Sequence, residues 1–147
     1  MNNFINDIHN ELNSGAKLIN LYKLLKKYSD NDWQKYIKIN EKTYNREKIY
    51  DCDLFDIYII TWNIGQKSLI HNHAENGCIL RVLQGELVET MYDYNLNFLE
   101  TNIFDDLENN ISYMDNTIGL HKIENNGVEI AVSLHIYSPP NHITKYF

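Results

Sequence analysis

The sequence predicts a mainly β protein, a closed or sandwiched antiparallel β fold with a short helical cap at its N-terminus. Three observations predict it. Beyond residue 55 the chain runs in short stretches rich in Ile, Val, Tyr and Leu, separated by turn residues at intervals suited to strands. Two separators, Gln84-Gly85 and Asn126-Gly127, are tight-turn dipeptides, the second because Asn-Gly tolerates the positive φ of a hairpin turn. Before residue 40 the apolar residues recur instead at helical spacing.

From Phe4 to Tyr28 the series Ile8, Leu12, Leu18, Leu21, Leu25 and Tyr28, broken near Ser14 and Gly15, predicts two short helices. After the polar stop Ser29-Asp30-Asn31-Asp32, Trp33 to Ile39 predicts a third, capped by one of those acids. The predicted strands are Ile57 to Asn63, Cys78 to Leu83, Glu86 to Tyr92, Ile118 to Glu124 and Val128 to Tyr137. Between Glu100 and Ser112 the chain is acidic and Asn-rich, and a loose loop is expected. Strands in such regular succession suit a barrel. With 147 residues the expectation is a single domain, residues 1–40 forming the helical cap and 41–147 the β-barrel.

At 44% hydrophobic and 22% charged residues, the composition is that of a folded protein rather than a disordered one. The net charge of -7 argues against nucleic acid and anionic membrane as partners, since both are bound by clustered Lys and Arg. A small-molecule substrate remains open. The first thirty residues lack the pattern of a secretory signal, and no apolar run has the length of a bilayer span. Two cysteines do not make a disulfide framework, so a cytoplasmic location is expected.

The densest group of chemistry-bearing residues is His71-Asn72-His73-Ala74-Glu75-Asn76-Gly77-Cys78. On a strand, His71 and His73 would face the same way with Cα atoms roughly 6.6 Å apart. Imidazoles at that spacing can share an ion through nitrogens about 2.0–2.1 Å from it. A third ligand must come from elsewhere, and of His9, His121, His135 and His142, only His121 and His135 fall in predicted strands. In Ser133-Leu134-His135-Ile136-Tyr137 the polar residues share one face and Val132, Leu134 and Ile136 the other. That polar row is either a hydrogen-bonded chain or the solvent face of an edge strand. Taken singly these residues are unremarkable: His-x-His is common, and a lone strand cysteine is most often a small core hydrophobe.

The wider spacing carries more. Gly65, His71-x-His73, Cys78 and Gly85 resemble the first motif of the cupin superfamily, with Cys78 where most cupins carry a metal-binding glutamate. Gly119-Leu120-His121 followed by Asn125 echoes the second motif, without its usual proline. The resemblance implies a cupin-type, jelly-roll-like antiparallel barrel. From about Tyr44 to Pro140 the chain is further similar to the cysteine dioxygenases, thiol dioxygenases that convert cysteine to cysteine sulfinate. The residues that carry this are His71-Asn72-His73, Cys78, Leu83-Gln84-Gly85, Glu89-Thr90, Ile118-Gly119-Leu120-His121 and the run Ala131 to Pro140 ending in Tyr-Ser-Pro-Pro.

The resemblance implies one ferrous iron per chain held by His71, His73 and His121, with L-cysteine and O2 as substrates; a monomer is expected as the working unit. It makes Tyr137 the catalytic tyrosine, joined through a thioether to Cys78, with His135 between Ser133 and Tyr137 as its outer support. Arg46 falls where the family grips the substrate carboxylate, with Tyr44 beside it, and Trp62 matches a tryptophan near the tyrosine. Family members continue past this run with strand structure that walls the pocket; seven residues follow Pro140 here, so a less closed site is expected. Cys52 and Glu75 receive no role, and His9 and His142 are expected at the surface. Three other readings stand beside this one: a dioxygenase for 3-mercaptopropionate or cysteamine, a non-catalytic metal-binding cupin sensor, and a cupin enzyme using zinc or copper, which three histidines also accept.

Overall fold

The computed structural model describes all residues, Met1–Phe147. Two helices, α1 (Asn2–Asn13) and α2 (Tyr22–Lys27), and two 3-10 turns, Leu18–Leu21 and Asp32–Tyr36, precede eight strands. These are β1 (Asn45–Asp51), β2 (Asp56–Trp62), β3 (Cys78–Gln84), β4 (Glu86–Tyr92), β5 (Phe98–Asp105), β6 (Ile111–Met114), β7 (Leu120–Glu124) and β8 (Ala131–Tyr137). They form a five-stranded sheet ordered β1-β2-β8-β3-β6 and a three-stranded sheet ordered β5-β4-β7. Every strand pair is antiparallel. No helix is long and apolar enough to cross a membrane.

Side-chain alternation divides the larger sheet into two faces with different tasks. Ile57, Ile59, Ile79, Val132, Leu134 and Ile136 point outward and pack against Phe4, Ile8, Leu18, Leu21 and Leu25 of the helical cap. The opposite face, with Ile60, Trp62, Leu80 and Val82, meets Leu87, Phe104 and Ile123 of the smaller sheet. The cap is also tied by Arg81, whose guanidinium donates to the carbonyls of Leu25 and Tyr28 at the end of α2. Cations suit that helix end because its last carbonyls lack partners. Leu21 is fully buried in this layer, so Leu21→Ala is expected to cost about 2–5 kcal/mol, read as a lower urea midpoint with a single transition.

Several elements differ from the sequence expectation. β1 was not expected: its sequence NREKIYD is charged because it is an edge strand, with only one side paired. The expected loop between Glu100 and Ser112 instead carries most of β5 and the start of β6, and only the turn between them is loop. β5 is again an edge strand, and its only buried residue is Phe104. The third helix is a short 3-10 turn. At Gly85 the tight turn is as expected, with φ +75 and an added Cβ only 2.9 Å from the Ile130 carbonyl oxygen. The Asn126-Gly127 turn is not the positive-φ hairpin type. Asn125 organises it instead, accepting from the Gly127 N–H and donating to the carbonyls of Trp62 and Glu129.

Candidate metal centre

The two sheets place a row of polar side chains along one end of the interior. Cys78, Tyr137 and Asp56 are cross-strand neighbours on β3, β8 and β2, and the row beside it contains Leu80, His135 and Tyr58. Directly opposite residues share a face, so Ser133, His135 and Tyr137 all point inward while Val132, Leu134 and Ile136 fill the outer core. β8 is a central strand, which settles the polar row as a buried chain rather than a solvent face.

That chain has a direction. Trp62 Nε1, a donor only, reaches Ser133 Oγ at 2.9 Å; Ser133 Oγ lies 2.8 Å from His135 Nε2; and His135 Nδ1 lies 3.2 Å from the Tyr137 hydroxyl. With its oxygen accepting from Trp62, Ser133 donates its proton to His135 Nε2, and His135 Nδ1–H then points at the Tyr137 oxygen. The phenol keeps its own proton free to donate elsewhere. Trp62 thus acts at Tyr137 through two intermediaries, and its ring stacks on Tyr44, with centroids 4.5 Å apart. Cys78 Sγ is 3.8 Å from His135 Nδ1. Burial drives the Cys78 thiol and the Tyr137 phenol well above their ordinary pKa values.

Facing this row, His71, His73 and His121 each offer a ring nitrogen, and these three atoms lie within 4.8 Å of one another. His121 sits on β7. His71 and His73 lie on a connecting segment rather than in a continuous strand, and backbone hydrogen bonds in both directions dock His71 onto His121. The Asn116 side chain accepts from the His73 N–H and donates to its carbonyl, both at 2.9 Å.

The protonation pattern leaves nitrogen lone pairs facing inward. His71 Nδ1 is 2.7 Å from the Leu69 carbonyl and His121 Nδ1 is 2.8 Å from Glu89 Oε2, both acceptors, so each Nδ1 carries the hydrogen. The two Nε2 atoms, 3.1 Å apart, then meet lone pair to lone pair, which calls for a cation between them. Both ring nitrogens of His73 are buried without any partner, a costly condition that a metal relieves. Burial, reinforced by the neighbouring imidazoles, pushes the His73 pKa down to about 2. Burial likewise lowers those of His71 and His121. The site therefore keeps its lone pairs at pH values that protonate an exposed histidine. Three neutral imidazoles suit Fe, Zn or Cu.

The cavity between the histidines and the polar row has a volume of about 40 Å³, about three times what one water requires. Arg46 lies at its rim, exposed to solvent on β1, with its guanidinium carbon 4.3 Å from the centre of the Tyr58 ring and 5.7 Å from that of Tyr137. No carboxylate of the protein pairs with it. The residues after Pro140 do wall the cavity: Thr144 and Tyr146 line it, and backbone hydrogen bonds join Lys145 to Asn72 and Phe147 to Ile70. His9 and His142 are half-buried rather than fully exposed, bonded to the Tyr50 hydroxyl and to Asn72 Oδ1, and neither is among the three whose nitrogens converge. Glu75 is exposed and Cys52 is half-buried away from the cavity.

Sequence reasoning left Glu89, Ser112, Asn116, Thr144 and Tyr146 without roles. Glu89 alone carried a signal, as a charge on the inward-facing series Leu87, Glu89, Met91 of β4.

Comparison with known proteins agrees with this geometry. Solved structures of similar fold include an uncharacterized conserved protein with a double-stranded beta-helix domain from Klebsiella pneumoniae, with TM-score 0.67 and 13% identity over 82% of this chain and 97% of that one. Another is a cupin superfamily protein from Desulfitobacterium hafniense, with TM-score 0.59 and 15% identity over 76% and 92% of the two chains. Identities this low speak for the cupin fold alone. Cysteine dioxygenase type 1 of Danio rerio is 35% identical over 133 residues, 84% of this chain and 66% of that protein. The Homo sapiens protein of the same name is 37% identical over 115 residues, 74% and 58% of the two. The chain thus spans two thirds or less of the length of these curated relatives. The family model for cysteine dioxygenase type I matches residues 3–147, and with a cupin barrel around a histidine triad beside Cys78 and Tyr137, the chain belongs to that family.

Proposed function

We propose that the chain is a non-haem iron(II) thiol dioxygenase that adds both atoms of O2 to the sulfur of L-cysteine, giving cysteine sulfinate, with one ferrous ion per chain. The observation that carries this reading is the meeting of three inward-facing histidine nitrogens and an unpaired guanidinium on one small cavity. Bound to His71, His73 and His121, ferrous iron supplies acidity toward the thiol and electronic access of dioxygen to sulfur. Sulfur provides all the electrons that dioxygen takes up, and the thiol proton is released.

The protein's own groups position the substrate. Arg46, with Tyr44 beside it, takes the substrate carboxylate in two parallel hydrogen bonds, leaving sulfur and amine to face the histidines. The Tyr137 hydroxyl, oriented by His135 and Ser133, donates its free proton into the cavity toward the reacting sulfur and oxygen. Two free cysteines fit a reducing cytoplasm, where the protein acts as a monomer in cysteine catabolism.

The directly opposed Cys78 and Tyr137 supply a thioether link between Sγ and the ring carbon beside the hydroxyl. That bond forms with loss of the S–H and C–H hydrogens, whose electrons go to O2 during turnover. Intact mass after aerobic turnover with cysteine is expected to reveal a fraction lighter by two hydrogens, absent in Cys78→Ala. No lighter species, or one persisting in that variant, would contradict the link.

Oxygen consumption with cysteine, cysteamine and 3-mercaptopropionate tests the assignment. Cysteine should be used fastest, since it alone offers both the carboxylate that Arg46 recognises and an amine to chelate with sulfur. Faster use of either other thiol would move the assignment to that substrate. No consumption with any of them by iron-loaded protein would favour a metal-binding sensor.

A further inference from the structure

We propose that Glu89 is a positioning residue that supplies, one hydrogen bond behind His121, the negative charge that the all-histidine ligand set lacks; this rests on the metal-site reading above. Glu89 is only 2% exposed. It occupies an inward position of β4 between Leu87 and Met91, where the strand's alternation otherwise calls for apolar residues. A carboxylate there is expensive to bury unless its contacts are all donors.

They are. Oε2 accepts from His121 Nδ1 at 2.8 Å and from Ser112 Oγ at 2.9 Å, while Asn102 Nδ2 makes a longer contact of 3.5 Å to Oε1. Ser112 belongs to β6 of the opposite sheet, so Glu89 joins the two sheets directly behind the metal-facing ring. Burial raises the Glu89 pKa and the hydrogen bonds from Ser112 and Asn102 oppose that rise; no neighbour needs a proton from Glu89, and contacts made entirely by donors are the surroundings of a carboxylate anion.

The charge acts through His121. An anion accepting Nδ1–H fixes the tautomer, aims Nε2 inward and raises its basicity. The site then combines three neutral donors with one buried negative charge at second remove. It should hold a divalent cation more firmly than three histidines alone, while every position around the metal that a carboxylate ligand would fill stays available to substrate.

The test uses the full-length protein stripped of metal and titrated anaerobically with Co(II), followed by visible absorption. Glu89→Gln keeps the shape and one oxygen to accept from His121 and Ser112, removes the charge, and gives up only the long Asn102 contact. It is expected to weaken Co(II) binding about 10–100-fold, with the metal-free melting temperature unchanged or higher because a buried charge is gone. Co(II) affinity within twofold of the parent would overturn the proposal. Should Glu89→Gln fail to fold, Glu89→Asp keeps the charge and lengthens the contact with Nδ1; a several-fold weaker affinity is expected, and none would again overturn it. A parent protein that binds Co(II), shows the Glu89→Gln effect and yet never oxidises cysteine sinks the enzymatic reading alone. Active parent protein with a Glu89→Gln variant of unchanged affinity sinks only the role of Glu89.

Discussion

His73→Ala and His121→Ala are each expected to lose bound iron and, with it, cysteine oxidation, whereas His135→Ala keeps the iron. The two ligand variants should differ in their metal-free stability. The nitrogens of His73 have no protein partner, so removing the ring deletes a ligand and leaves a small cavity without orphaning any other polar group. Removing His121 strands Glu89, a buried carboxylate whose shortest contact is with that histidine. Losing a hydrogen bond to a buried charged group costs about 1.5–3 kcal/mol, so His121→Ala should unfold at lower urea than His73→Ala. His135 hydrogen-bonds Ser133 and Tyr137 but no member of the triad. Its loss disorients the Tyr137 proton, and turnover should fall roughly 100-fold with metal content unchanged. Metal analysis of the purified variants separates these outcomes; iron retained in His121→Ala and lost in His135→Ala would mean that ligand and support are exchanged.

Arg46→Gln is expected to lower kcat/KM for cysteine roughly 100-fold, about 3 kcal/mol, mostly through KM. Two charge-assisted hydrogen bonds to the carboxylate are lost, and a glutamine amide offers neither the charge nor the parallel fork. The fold should be indifferent, because Arg46 is exposed on an edge strand and makes no ion pair within the protein. Cysteamine, which has no carboxylate, serves as the internal control: its turnover should be nearly unaffected. An unchanged preference for cysteine over cysteamine would remove Arg46 from substrate recognition.

The barrel was legible as a class in the rhythm of short apolar runs and in the motif spacing, though not strand by strand. His71, His73, His121, Cys78, Tyr137 and Arg46 were named together from the resemblance, and all six line one cavity. What brings them together was only partly readable. His71 and His73 converge from a connecting segment held by His121 and Asn116 rather than from the strand that their alternation suggested, and nothing in Asn116 itself marks it as a clamp. β1 and β5 escaped notice because edge strands expose polar residues on faces that central strands bury, so the dense apolar run that marks β2 and β8 is missing. Glu89 was visible only within the Glu89-Thr90 pair of the resemblance, without a role. Its meaning depends on His121, which the β4–β7 pairing brings beside it, and on Ser112, which meets it only when the two sheets close.

Dioxygenation of the substrate sulfur is tested most directly by product analysis after reaction of the iron-loaded protein with cysteine under 18O2. Cysteine sulfinate in which both sulfur-bound oxygens carry the label is expected. Unlabelled sulfinate, or cystine with the labelled oxygen recovered as peroxide or water, would contradict it.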